Sequence, residues 1–242
     1  MDKYGKISFI ETKELQYYKG IQIKADLGLH DQIAELVQKY LPIDSKILDF
    51  GCGEGALSQR LADLGYHITS VDINDKDFKA ETDFVRLDFN DVDAVEEFVQ
   101  NNCDKYDMVL GIEVIEHIEN PWNYIRQLKK MVRREGYVIV STPNITSWYS
   151  RVRFFITGRF HQFEDNDRTY GHINPISVDE LEYIAMNCNM QVKEVVPGGY
   201  LPRLWISKYP MELIRNLFGF IGSIFMKGMY EGWCIIALLQ NS

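Results

Sequence analysis

The chain has 242 residues, of which 46% are hydrophobic and 25% charged, and its formal net charge is −9. That composition is ordinary for a globular protein, and the length suits one α/β domain with a full core. The acidic balance gives no general attraction to a polyphosphate, so a nucleic-acid partner is disfavoured. The four cysteines, Cys52, Cys103, Cys188 and Cys234, form no Cys-x-x-Cys pair. That argues against a zinc site or a disulfide framework and for a reducing, cytoplasmic setting. The opening MDKYGKISFIETKE lacks the apolar core of a signal peptide.

In chain order, HDQIAELVQKYL (30–41) predicts a helix closing one edge of the fold. KILDFG (46–51) reads as a strand, GALSQRLADLG (55–65) as a helix, HITSVD (67–72) and FVRLDF (84–89) as strands, and DAVEEFVQNN (93–102) as a helix. YDMVLGI (106–112) is a further strand, NYIRQLKKMVRR (123–134) a helix and GYVIVSTP (136–143) a strand. This rhythm predicts a parallel sheet covered by helices on both faces. About 35 residues without a clear period follow Pro143, before a helix announced by the capping box Ser177-Val-Asp-Glu180. QVKEVV (191–196) is a strand, and WCIIALLQ (233–240) is apolar enough for an inner strand lying antiparallel beside its neighbour. One domain over 1–242 is expected, with its core at about 30–200 and insertions at about 144–176 and 200–230.

The strongest local signal is Leu48-Asp49-Phe50-Gly51-Cys52-Gly53-Glu54-Gly55, where glycines permit a tight turn from strand into helix and close approach of a ligand. Asp49 at the strand end is placed to hold an amino group. Asp72, 21 residues after Gly51, is placed to accept both hydroxyls of a ribose. Asp88 and Phe89 suit the amino group and ring face of an adenine. Gly51-x-Gly53-x-x-Ala56 also fits the dinucleotide fingerprint. The glycines alone therefore do not choose between NAD and S-adenosylmethionine (SAM), nor exclude a bare structural turn.

The combination LDFGCGEG, SVDI, RLDF, DMVLGIEVIEH and STPN resembles the ordered motifs of class I SAM-dependent methyltransferases, from roughly Lys46 to Val196. It is similar in particular to the ubiquinone-biosynthesis O-methyltransferase-like, methyltransferase-domain 23 group. Asp49 ahead of the glycines belongs to that pattern, whereas dinucleotide enzymes usually carry an apolar residue there. The resemblance implies a Rossmann-like, doubly wound, seven-stranded sheet with an antiparallel last strand. It also implies that Asp49, Gly51, Cys52, Gly53, Asp72, Ile73, Asp88, Phe89 and Glu113 line the cofactor.

If Glu113-Val-Ile-Glu116-His117 turns into a helix, Glu113, Glu116 and His117 share one face and can bind a divalent cation, with His172 as a fourth ligand. Carboxylates suit Mg²⁺, and imidazole shifts the preference towards Mn²⁺, Fe²⁺ or Zn²⁺. The same run resembles two metal-using branches, the ubiquinone-biosynthesis enzymes and those that methylate the 3′-terminal 2′-hydroxyl of small RNAs. In both branches the metal lowers the pKa of the acceptor hydroxyl. The competing reading is that these residues cap a helix or approach SAM. Without a metal, His117 or His172 is the candidate catalytic base.

Between Trp148 and Tyr170, aromatics alternate with Arg151, Arg153, Arg159 and Arg168. This predicts either a wall for an anionic or lipid-linked acceptor, or a small lid whose arginines pair with Glu164, Asp165 and Asp167. The apolar run Leu204–Met229, with Trp205, Phe218, Phe220, Phe225 and Met226, reads as a lid or homodimer face ahead of peripheral membrane contact. Helices that rest on membranes usually carry more lysine and arginine. The leading expectation is O-methylation of a small, or lipid- or sugar-linked, hydroxylated acceptor. A metal-assisted RNA 2′-O-methyltransferase, a nicotinamide-dependent oxidoreductase and a non-catalytic SAM-binding module are the alternatives.

Overall fold

Near-continuous apolar runs, buried on both faces, build the centre of the fold. In the computed structural model, which describes residues 7–8, 15–169, 171–205 and 210–242, seven strands form one sheet. They are β1 (Lys46–Phe50), β2 (His67–Asp72), β3 (Asp83–Arg86), β4 (Tyr106–Ile112), β5 (Val132–Pro143), β6 (Met190–Gly198) and β7 (Cys234–Asn241). Their spatial order is 3-2-1-4-5-7-6. The first five run parallel, and β7 is antiparallel to both β5 and β6, with Ile235 opposite Thr142 and Pro197. The expected sheet and its antiparallel last strand are therefore present. Tyr170 lies outside the described residues, and so does the side chain of Trp205.

Because successive side chains point to opposite faces, each strand feeds two cores. Leu48, Val109, Val138 and Ala237 pack with α3 (Val92–Asn101), α4 (Pro121–Met131) and α7 (Val178–Asn187). Ile47, Met108, Ile139 and Ile236 pack on the other face with α1 (Leu29–Tyr40) and α2 (Ala56–Asp63). Side chains such as Ile47 and Leu48 are fully buried, and each contributes about 1.5–3 kcal/mol by leaving water.

Several boundaries differ from the sequence reading; the strand expected over 84–89 ends at Arg86, so Asp88 and Phe89 lie just beyond it. Asn120 accepts from the Asn123 amide and Pro121 opens α4, but the helix ends at Met131 and the chain is already extended at Val132. Glu135 at φ +61 and Gly136 pressed against the Asp107 carbonyl then shift the register, so that Tyr106 faces Val132 while Met108 faces Tyr137. The stretch after Pro143 holds α5 (Trp148–Thr157), capped by the Ser147 hydroxyl, and the short α6 (Asp165–Thr169). The period of α5 is obscured because it buries Trp148, Tyr149 and Val152 yet exposes Phe154, Phe155 and Ile156. The late apolar run forms α8 (Pro210–Ser223), which packs across α5. The capping box acts as read, with the Ser177 hydroxyl accepting from the Glu180 amide.

Strand order reverses between β1 and β4, so the loops leaving these neighbours diverge and open a crevice at their carboxyl ends. A small hairpin, Gln16–Tyr18 with Ile21–Ile23, lies beside this end of the sheet and packs on α2. Among the described residues no helix is long and apolar enough to cross a membrane.

Candidate active site

The crevice is a cavity of about 500 Å³. The loop from β1 into α2 forms its floor. Gly51 and Cys52 both donate their amides to the Val71 carbonyl, at 2.8 and 3.1 Å, which turns the chain back over β2. Gly51 holds φ +105, and a Cβ there would strike Val114, so glycine is required twice over.

Asp49 closes β1 in a fully buried position and accepts from the Ser58 hydroxyl at 2.6 Å. Burial pushes its pKa up to about 6; the Ser58 hydrogen bond opposes the rise and the Asp72 charge adds to it. Asp72 accepts from the Gly53 amide at 2.9 Å and from the Asn74 amide at 3.1 Å, so one carboxylate fixes two loops at the cavity wall. Asp88 accepts from the Asn90 amide at 2.9 Å, and Phe89 packs on Phe50 with ring centroids 4.4 Å apart. Cys52 and Ile73 complete this wall, and burial raises the Cys52 thiol pKa. All nine residues expected around the cofactor line the one cavity.

The acidic-histidine run does not form an α-helix. β4 ends at Ile112, Glu113 takes φ +55, and Ile115–His117 form a single 3₁₀ turn. A left-handed, non-glycine residue costs about 1–3 kcal/mol, and such residues gather at functional sites. The turn separates the two glutamates. Glu113 accepts from the Ser141 hydroxyl at 2.7 Å, and the Cys234 thiol lies within donor reach of two carboxylates, Asp26 at 3.0 Å and Glu113 at 3.4 Å. Burial, with the Asp26 charge next, pushes Glu113 up to about 7.

Glu116 turns instead towards His117 and His172, and one potential ligand atom from each of the three lies within 4.8 Å of the others. Of the four expected metal ligands, the structure gathers Glu116, His117 and His172 and sends Glu113 to Asp26 and Cys234. Both carboxylate oxygens of Glu116 are buried and lack a close hydrogen bond among the described residues; the Thr142 hydroxyl is the polar group beside them. Its pKa is raised by burial first and by the Glu113 charge second.

His172 comes from a loop 55 residues after His117. The amides of Ile173 and Asn174 donate to the Glu116 carbonyl at 2.9 and 3.0 Å, and the Asn174 side chain donates to the Ile118 carbonyl. The two imidazoles meet edge to face at 4.7 Å. His172 Nδ1 lies 2.8 Å from the Gln162 carbonyl, which can only accept, so Nδ1 carries the proton and Nε2 is left as an acceptor.

Several cavity residues were not legible in the sequence. Gln22, Lys24 and Asp26 reach it from the hairpin and the segment after it, and Gln162 from the far side, where it donates to Asp26 at 3.3 Å. His30 also lines it, and burial, followed by the Arg60 charge, lowers its pKa to about 4. None sits in a recognisable motif, although Gln162 at φ +64 is a second strained residue at the site. The arginines of 148–170 behave otherwise than as an acceptor wall. Arg153 pairs with Glu164 and Arg159 with Asp165, while Arg151 donates to the carbonyls of Thr146 and Lys227. None of these three lines the cavity.

A methyltransferase-domain family profile matches residues 22–195. A ubiquinone biosynthesis O-methyltransferase of Glaesserella parasuis is 32% identical over 111 residues, which cover 42% of this chain and 47% of that relative. The match thus spans about half the length of that relative. The enzyme of the same name from Nitrosospira multiformis is 28% identical over 73% of this chain and 72% of its own. Among solved structures, a SAM-dependent methyltransferase from Archaeoglobus fulgidus superposes with a TM-score of 0.59 at 17% identity, covering 87% of this chain and 94% of that one. Another, from Mesorhizobium loti, gives 0.52 at 11% identity over 87% and 99%. At such identities the structural likeness speaks for the fold.

Proposed function

Because the chain belongs to the methyltransferase-domain family, we propose that it transfers the methyl group of SAM to a hydroxyl oxygen of a small, or lipid- or sugar-linked, acceptor. One observation carries this reading: strand-end carboxylates and a histidine with an accepting Nε2 face one cavity. The names of the relatives support oxygen as the atom methylated. Bound SAM supplies a methyl group already activated on a sulfonium.

The protein's task is then to hold the cofactor, orient the acceptor in line and remove its proton. In this reading Asp49 holds the amino group, Asp72 the ribose hydroxyls, and Asp88 with Phe89 the adenine. Gly51 and Gly53 keep side chains out of the space between them, and Cys52, Ile73 and Glu113 complete the lining. Asp49 binds an ammonium only when ionised, so cofactor affinity rises as pH passes upward through about 6 and then levels. His172, its proton fixed on Nδ1 by the Gln162 carbonyl, is the favoured base, and His117 packs against it.

The Glu116–His117–His172 group also fits a divalent cation, because a buried carboxylate with only the Thr142 hydroxyl beside it converges with two imidazoles. A carboxylate with two imidazoles suits Mn²⁺ as well as Mg²⁺, and such an ion lowers the pKa of a bound hydroxyl. An RNA acceptor fits less well, given the net charge of −9 and the lack of arginine among the described residues that line the cavity. A SAM-binding module without catalysis would bind the cofactor and leave every acceptor untouched.

The test is methyl transfer from labelled SAM to a panel of catechols and sugar vicinal diols, with Mg²⁺, Mn²⁺ or a chelator. Label on oxygen supports the proposal. Bound SAM with no transfer under any of these conditions favours the non-catalytic reading.

A further inference from the structure

Helix α8 packs the wrong way out for a helix in water. Among its described side chains the buried ones are Asn216, Gly219 and Ser223, spaced as one stripe of small and polar residues. Gly219 lies on the ring of Trp148, with no room for a Cβ. The opposite stripe is apolar and exposed, with Leu213, Ile214, Leu217, Phe218 and Ile221, and Phe225 beyond the helix end is 81% exposed. The neighbouring α5 extends this surface with Phe154, Phe155 and Ile156, the second of them 80% exposed. A contiguous face of this kind is a docking surface rather than scattered surface hydrophobics.

The charges around the face indicate what covers it. Residues 145–160 contain Arg151, Arg153 and Arg159 and no acid, while 210–229 contain Arg215 and Lys227 against Glu212 alone. The chain as a whole carries −9, yet both of these segments are net basic. Read by itself, α8 is short of cations for a membrane-resting helix; the fold brings the arginine-bearing helix α5 beside it. Arg153 and Arg159 share their charge with Glu164 and Asp165, but Arg151 is held by carbonyls and not by a carboxylate. In a two-fold dimer the patch would meet itself, basic segment against basic segment. An anionic bilayer meets it with the opposite sign. At 14 residues, or about 21 Å, α8 is too short to span about 30 Å of hydrocarbon, so it would lie in the interface.

We infer that the α5–α8 face docks this protein on an anionic lipid surface. The docking face lies at the working end of the sheet: α5 follows the carboxyl end of β5, and the Ser150 hydroxyl accepts from the His161 amide, next to cavity-lining Gln162. The inference deepens the proposed function by favouring a lipid-linked acceptor presented from the bilayer, and rests on that reading only in this respect.

The test is flotation of the full chain with phosphatidylcholine vesicles, with and without phosphatidylglycerol, and a SAM titration of the same samples. The chain binds the anionic vesicles, added salt weakens binding, and a Leu217→Ser/Phe218→Ser/Ile221→Ser variant binds at least about tenfold less with SAM affinity unchanged. Should that variant fail to fold, Phe225→Ser, beyond the helix, reads the same effect at smaller size. No binding to anionic vesicles at low salt overturns the inference, as does equal binding by a folded variant. A dimer in sedimentation velocity that the same substitutions dissociate assigns the face to a second copy and overturns it too. Loss of SAM binding by the wild-type chain would instead strike the proposed function, leaving the vesicle result to stand alone.

Discussion

The two walls of the cavity are assembled differently. On the proposed cofactor side, Asp49 and Asp72 sit in adjacent parallel strands whose register sets their spacing, and Asp88 follows two residues beyond the end of the next strand. On the reaction side, Glu116 and His117 ride a 3₁₀ turn, and His172 arrives from a distant loop pinned by two amides to the Glu116 carbonyl. The first wall is rigid because it is part of the sheet. The second is held by a few hydrogen bonds and two strained residues, Glu113 and Gln162. In the proposed function, chemistry that discriminates among acceptors is thereby placed where substitutions leave the sheet intact.

If the walls act separately, His172→Ala lowers turnover by about 10²–10⁴-fold and leaves SAM affinity within about twofold. Parallel losses in both, measured by single-turnover kinetics and calorimetry, would break the division.

The next effect belongs to Asp49. Its folded pKa of about 6 lies above the ordinary carboxylate value, so its protonated form favours folding. Its contribution is complete below pH about 4 and is lost as pH rises through about 6, amounting to as much as about 3 kcal/mol at neutral pH. Asp49→Asn therefore stabilises the cofactor-free protein at pH 7–8 by up to that amount, changes little near pH 4, and weakens SAM binding. Urea unfolding across pH measures the difference, and a destabilised variant at pH 7 would contradict it.

Glu116→Gln sharpens the contrast on the other wall. Mn²⁺ binding in the absence of acceptor falls about tenfold or more while SAM binding holds, as read by titration calorimetry. The smallest effect is expected for Ser141→Ala, which removes the hydroxyl donor to Glu113 at a cost of about 1 kcal/mol in denaturant unfolding.

The same division sets what the sequence could reveal. Asp49, Gly51, Asp72 and Asp88 were legible because a strand, a turn and a helix in sequence order place them without knowledge of the rest of the chain. The separation of Glu113 from Glu116 was not legible, since it depends on a backbone turn into the left-handed region that an Ile-Glu-His run does not announce. Asp26, Gln162 and Cys234 come together only through tertiary packing. Helix α5 escaped notice because both of its faces are aromatic, and the inverted packing of α8 could not be read without Trp148 beneath Gly219.

The most direct test of the central claim is calorimetric titration of the chain with SAM and, separately, with NAD, repeated with Mn²⁺ and on a Glu116→Ala/His117→Ala variant. Micromolar SAM binding, no NAD signal, and a variant that keeps SAM while losing the Mn²⁺ heat are expected. Binding of NAD with no binding of SAM would contradict it.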